Sequence, residues 1–456
     1  IKSITTLTVL IYVLKQQKGH ERTSTKTTDA IGNIISSTDK GGTVTFTYNA
    51  SGQNTSATDG QNIVSTKYDD WGRKIEFYDP ANGKYTFDYN GFGQLLQENS
   101  PKGEKKYTYN DFGQLKKQEE KTTKDGTQNT DKNIAYSYNS YGMLIQTTGI
   151  VNGKAFSSTN NYDNFGRILS SAESSNGKYF IKKGITYDYL GRIISYEKSL
   201  YSSGILTKAI VENKYSDWSG ELYQLNDKSS GKTLWELTEL TAKGLISKAK
   251  LGGTSVLNTY SPINHSLSNV THDKTSDNNV TVLQAGYTFN TIKNELSSRS
   301  RGGDFSIIEG FTYDNNNRLE EWSDPRNSGT FKNTYDIQGR ITENDQVGKI
   351  SFANSGSIYR PSSFTINLAG TQNYTNDLLQ KITYNENNDP VFIDGVKGDV
   401  RFTYGLSSMR QMATYGGDIS ETVNGEGIFT KYYSEDGTSE IIRNNQTGQE
   451  KHMLYL

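Results

Sequence analysis

One eight-residue pattern recurs along this chain and leaves few folds open to it. In one copy it reads Tyr68-Asp69-Asp70-Trp71-Gly72-Arg73-Lys74-Ile75. The Tyr, the Asp or Asn after it and the Gly three further on return at Tyr89, Asn90 and Gly93, and at Tyr109, Asn110 and Gly113. They return again at Tyr162, Asp163 and Gly166, and at Tyr187, Asp188 and Gly191. A plainer copy begins at Tyr138-Asn139. After a degenerate stretch over 215–300 the pattern reappears at Tyr313-Asp314, with Asn317 in place of Gly, and at Tyr335, Asp336 and Gly339. The Tyr position can be followed through 48, 68, 89, 109, 138, 162, 187, 215, 240, 260, 289, 313, 335, 352, 384 and 404, with gaps of 17 to 32 residues. Of these 16 units, 11 carry Asp or Asn next, and 13 have Gly or Asn four after the Tyr position.

The spacing is that of a β-hairpin. Before each turn runs an alternating stretch such as Lys84-Tyr85-Thr86-Phe87-Asp88-Tyr89, the period of a half-buried strand. Asp or Asn then bonds its own backbone two residues on and opens the turn. Gly or Asn supplies the positive φ that closes it. Arg or Gln followed by Leu or Ile starts the return strand. A second Gly, as in Asn82-Gly83-Lys84 or Asn176-Gly177-Lys178, turns the chain at the other end. Longer gaps read as longer hairpin loops, as between Thr122 and Lys132. An isolated hairpin is unstable in water, so the units must pair side by side into one continuous sheet, which strand twist would coil into a spiral. The expected fold is all-β: stacked antiparallel hairpins forming a spiralling sheet or hollow shell. The best helical candidate, Leu234 to Lys250, carries Gly244 in register with the repeat and reads as another hairpin.

Composition agrees with a thin sheet. The apolar fraction is 32%, yet there are 31 Tyr and 17 Phe, and the net charge is -1; disordered chains lack aromatics and usually carry strong net charge. The same balance offers no basic footprint for nucleic acid. There is no cysteine, hence neither disulfide nor thiolate metal site. No apolar run reaches the roughly 18 residues of a membrane-spanning helix. The uncharged segment Ile4 to Leu14 admits two readings, a strand or a targeting core; Lys15-Gln16-Gln17-Lys18 follows it in place of a small-residue cleavage site. We therefore expect an N-terminal strand-like or linker segment over 1–24 and a repeat array over 25–456, truncated at both ends.

Tyr187-Asp188 with Gly191-Arg192-Ile193, preceded by Gly184, resembles the YD repeat of RHS-repeat proteins. That family includes bacterial polymorphic toxin shells, the C subunits of insecticidal toxin complexes and the YD shell of teneurins. The resemblance covers about residues 25 to 456, with its plainest motifs over 68–193 and 313–341. It implies a spiral of hairpins which, in bacterial members, encloses a toxic C-terminal segment of the same polypeptide, in a secreted or cell-surface protein. The family's shell usually ends in a core segment with an Asp-Pro-x-Gly type motif. Asp79-Pro80, Asp324-Pro325 and Asp389-Pro390 all lack the Gly two after Pro, so neither core nor cargo is expected within this sequence.

Side chains that could carry chemistry are sparse. His265 and His272 are the one pair of histidines near each other in sequence; His20 and His452 stand apart. Asp314-Asn315-Asn316-Asn317-Arg318 is similar to a calcium loop but lacks its Gly at the sixth position and its terminal Glu. Glu119-Glu120 and Glu320-Glu321 fall on alternate faces of a strand and read as exposed charge. No nucleophile elbow or phosphate loop is present. We thus expect no catalytic residue, metal or cofactor. Wetted Tyr and Trp rings could stack on sugars, making surface adhesion or glycan binding the alternative to enclosure; otherwise the rings stack on one another along the ladder. Circular dichroism should show strand with little helix; helix above about a fifth of residues would contradict the repeat reading, since globular proteins average about a third.

Overall fold

A computed structural model describes residues 8–15, 21–39, 42–122, 131–276, 280–303, 305–325, 329–353, 358–374, 379–395, 398–419 and 427–456. Residues 4–7 of the apolar N-terminal segment, Lys18, His20 and the interior of the loop between Thr122 and Lys132 lie outside them. Strands make up 63% and helix 2% of the chain. The one helix among the described residues is Leu368–Tyr374.

Every one of the 16 Tyr positions is the last residue of a strand. Strand Gly103–Tyr109 shows the local construction. Gly113 N–H donates to the Asn110 carbonyl, and Asn110 N–H to the Gln114 carbonyl, both at 2.9 Å. Asn110 Oδ1 accepts the N–H groups of Phe112 and Gln114. Gly113 has φ 77°. This is the three-residue hairpin whose left-handed third residue matches the twist of the strands. The return strand also bulges: Thr108 faces Lys117 but Tyr109 faces Leu115. The same register shift accompanies Tyr48, Tyr68, Tyr162, Tyr313 and Tyr404, so the bulge belongs to the repeat. Far-end turns carry their own left-handed residues, including Gly83, Asn176 and Gly177. Gly244, at φ 78°, closes the turn after Leu240, its N–H donating to the Thr241 carbonyl at 2.9 Å, so strand and turn occupy the best helical candidate.

The stretch that reads as degenerate differs by one residue of loop. After Tyr215, Tyr260 and Phe289 the left-handed residue falls five places on, at Gly220, His265 and Asn294. Asn264 meets the sequence count, yet His265 does the turning. Two further copies escape the sequence pattern. Thr28 replaces Tyr before Asp29 and Gly32, and Ser434 replaces Asp between Tyr433 and Gly437.

The chain forms two units, one combining 1–85 with 237–375 and the other 86–236 with 376–456. In the first, strands pair antiparallel with their chain neighbours from Thr8–Lys15 to Lys74–Asp79, and from Ile246–Leu251 to Pro361–Ile366. Among its described residues the buried apolar side chains are Ala249 and Ile358. Both faces of this ladder are largely wet, as a sheet rich in Tyr and Thr tolerates.

The second unit departs from the expected continuous sheet. Its hairpin ladder runs to Leu222–Asp227 and beyond, but residues from Leu379 to Leu454 form a separate sheet of seven strands. The Leu368–Tyr374 helix precedes this sheet in the chain and adds no strand to a ladder. Strand Arg410–Tyr415 in the second sheet is buried on both faces over Gln411–Thr414, the mark of a covered sheet. Phe180 and Leu200 of the ladder pack on Met412, Tyr432 and Ile441 of this sheet. Ile134, Val151 and Phe156 pack on its Leu406. The left-handed turn yields a direct expectation. Gly113→Val should destabilise by about 1–3 kcal/mol through backbone strain. That exceeds the loss from Gln114→Val as measured by denaturant midpoint.

Candidate functional site

The repeat residues do one job together: they tie each hairpin to its neighbours. The Tyr hydroxyl donates backwards to the carbonyl of the first residue in the preceding return strand. Tyr68 reaches Asn54, Tyr109 reaches Leu95, Tyr162 reaches Leu144, Tyr187 reaches Ile168, Tyr313 reaches Leu296 and Tyr335 reaches Leu319, all at 2.7–3.0 Å. The residue after Gly reaches forwards. Gln94 Nε2 donates to the Gly113 carbonyl at 2.8 Å, and Arg192 Nη1 to that of Gly220 at 2.9 Å. The guanidinium groups of Arg167, Arg192 and Arg318 also lie 4.4 Å from the ring centres of Tyr187, Tyr215 and Tyr335, a cation–π contact. These three motif rings thus stack under the arginine of the previous repeat, while other rings pair with one another across strands, as Tyr179 does with Tyr201 and Trp322 with Phe331. Asp69, Asp163, Asp188, Asp314 and Asp336 hold that arginine in place through Nε at 2.6–2.7 Å.

These bonds settle the calcium-like loop. Asp314 Oδ1 accepts the N–H groups of Asn316 and Arg318 while Oδ2 holds Arg318, so its oxygens are spent inside the turn. His265 sits at a turn tip against Lys243, and His272 lies in mid-strand opposite Val256 and Leu283. Among the described residues no group of three or more His, Asp or Glu could hold a metal ion. Glu320 and Glu321 are half exposed beside Lys332. Glu119 is likewise exposed.

Glu120 corrects the sequence reading, being 2% exposed. It does face away from Glu119, but the second sheet covers its side. Lys132, directly opposite on the next strand, pairs with it at 2.9 Å and has no exposed side-chain surface. Thr122 Oγ1 donates to Glu386 Oε2 at 2.6 Å, carrying the cluster across to the second sheet. Burial opposes ionisation of Glu120 but is outweighed by Lys132, leaving its carboxyl below the usual range. A second polar bridge joins Lys178 to Glu450 at 2.6 Å, with Ser203 and His452 on the same carboxylate. Burial pushes Glu450 up, and the hydrogen bonds from Lys178, Ser202, His452 and Ser203 overcome it, holding the group at about 2. Beside these bridges opens a cleft of about 970 Å³, lined by Tyr136, Tyr187, Arg167, Glu173, Leu406 and Glu435 among others. Burial, with the charges of Glu435 and Asp436, pushes Glu173 up to about 7.

Nothing local in the sequence announced this seam, because each partner lies some 250 residues from the other; Lys178 and Glu450 are separated by 272. The turn tips are the opposite case. Trp71, Phe92, Phe112, Tyr141 and Phe165 immediately precede the closing Gly, Trp218 stands two before Gly220, and all six are 84–98% exposed.

A ladder of hairpins joined through Tyr, Asp and Gly-Arg turns is the architecture of a YD shell, a structural fold. The teneurin YD-shell family matches residues 6–125 of this sequence, and the motif and fold beside that match support an RHS/YD-repeat reading of the chain. No curated protein matches by sequence. In structure it is similar to a chain of the Photorhabdus luminescens Tc holotoxin pore, solved with a mutant TccC3 component. The TM-score is 0.69 at 14% identity, over 93% of this chain and 24% of that one. It also matches TcdB2-TccC3 without its hypervariable C-terminal region, at TM-score 0.40 and 12% identity, over 96% of this chain and 32% of that one. The chain thus spans a quarter to a third of the solved chains it matches. No described helix is long and apolar enough to cross a membrane.

The buried pair gives the sharpest stability test. Lys132→Met should cost about 3–5 kcal/mol by stranding the Glu120 charge, and adding Glu120→Leu should restore much of it. Equal midpoints for the wild type and the single variant would show the pair to be solvated.

Proposed function

We propose that this chain is a stretch of an RHS-type β-hairpin shell that encloses a segment of polypeptide, a toxic C-terminal portion of the same protein in the bacterial pattern. The observation that carries this reading is the way the repeats join. Each tie ends on a backbone carbonyl, so the ladder holds whatever side chains its free faces present. A wall built this way places few demands on what it surrounds. An exported or cell-surface bacterial protein fits the proposal, and no catalytic role is assigned to the chain.

Surface adhesion is the second reading. It is favoured by the bare rings of Trp71, Phe92, Phe112, Tyr141, Phe165 and Trp218, which could stack on sugar rings. The two readings separate in one experiment. The full-length polypeptide and a version lacking these repeats are exposed to protease, and cleavage of the segment downstream of Leu456 is followed. Enclosure predicts slower cleavage with the repeats present. Equal cleavage in both would remove it and move glycan binding ahead, to be checked by a glycan array with Trp71→Ala and Phe112→Ala as controls.

A further inference from the structure

In three turns of the second sheet one position is buried or half-buried where the matching position of the ladder is bare. Two places after the Tyr position, the ladder shows Asp70, Asp111, Asn164 and Tyr189 to solvent. In the second sheet that place holds Glu386, Leu406 and Glu435, following Tyr384, Tyr404 and Tyr433. Leu406 enters the core of Ile134, Val151 and Phe156. Each glutamate instead meets a glutamate of the ladder. Glu386, 3% exposed, lies against Glu120. The Glu435 N–H donates to Glu173 Oε2 at 2.7 Å, with the Glu435 and Asp436 charges close by.

The surroundings leave both contacts short of positive charge. Beside Glu386 stands Glu120, whose own cations are Lys132 and Lys105, and Lys105 is shared with Glu98 at 3.5 Å. Around Glu173 stand Glu435, Asp436, Lys198, Lys182 and Arg167. Of these cations, Arg167 is committed to Asp163 and Lys182 lies over the Tyr196 ring. Lys198 is turned towards the Thr438 hydroxyl and the Tyr455 carbonyl. Glu386 and Glu120 cannot both ionise without strong repulsion, and the charges of Glu435 and Asp436 oppose ionisation of Glu173 in the same way.

We propose that these paired acids make the seam between the ladder and the second sheet a proton-dependent latch, closed while one carboxyl of each pair keeps its proton and loosened once both ionise. The protonated members are Glu386 and Glu173. Burial, with Glu120 adding, holds Glu386 above the usual range, and Glu173 is pushed up to about 7. A carboxyl raised on folding stabilises fully below its unfolded value of about 4.3, and that stabilisation is lost as pH rises through the folded value. Glu450, held down at about 2, behaves oppositely and fails in strong acid alone. The latch is therefore tightest near pH 5 and loosens towards about pH 8. It stands whether or not a cargo is enclosed.

Hydrogen exchange on the full chain, corrected for the intrinsic pH dependence of exchange, tests this. The turns Asn385–Asp389 and Ser434–Gly437 should exchange about tenfold faster at pH 8 than at pH 5. The Leu406 turn, which carries no acid, should change little. Glu386→Gln with Glu173→Gln should hold both acidic turns at their slow, low-pH rate. Circular dichroism of that variant, and each single Gln variant, confirm that it folds. Equal wild-type rates at the two pH values would overturn the proposal. So would a pH response that survives both Gln changes, or one equally large in the Leu406 turn.

Discussion

A tyrosine hydroxyl donating to the first carbonyl of the previous return strand fixes each hairpin against the one before it. A lone hairpin cannot survive in water, and this chain offers little apolar surface to help. The tie works because the tyrosine ends its strand at a bulge, which aims the ring across the turn edge rather than along the sheet. The left-handed glycine makes that edge tight enough for the next arginine or glutamine to reach forward over it. Removing the turn geometry would therefore also remove the tie, and the two cannot be assessed as separate devices.

The hairpins were legible in sequence because a turn is local. Tyr109, Asn110 and Gly113 sit within five residues, and their types report directly on strand end, backbone bond and positive φ. Legibility failed in two ways. Loops one residue longer, at Gly220, His265 and Asn294, shifted the closing residue and blurred the pattern without changing the fold. Substitutions such as Thr28 and Ser434 kept the turn while hiding the motif. The seam was illegible for another reason. Glu120 alternates correctly with Glu119, but its burial depends on a second sheet whose existence no local pattern reveals.

The two units put the same repeat to different uses. Where the ladder stands alone, polar alternation and edge ties are enough, and full burial is confined to a few side chains. Where a second sheet covers it, the ladder acquires apolar clusters and charges that have lost their water. Such charges contribute little net stability compared with apolar packing. Their value is in registration: Lys178 reaches Glu450 on the opposing layer, while Lys132, paired with Glu120 in its own ladder, stands where Thr122 crosses to Glu386.

The acceptor side of every tie is backbone, and this has a consequence for how such a chain changes over generations. Tyr109 needs a carbonyl at Leu95 but is indifferent to the leucine itself. A duplicated or deleted hairpin would therefore meet a compatible neighbour at once, with no matching substitution required on either side. Only one edge is held in this manner. At the other, strands range from the four residues of Ile341–Asn344 to the eleven of Ile205–Tyr215, so length there is free to drift. A lineage built on this plan can gain, lose and resize repeats by recombination while the tied edge stays in step.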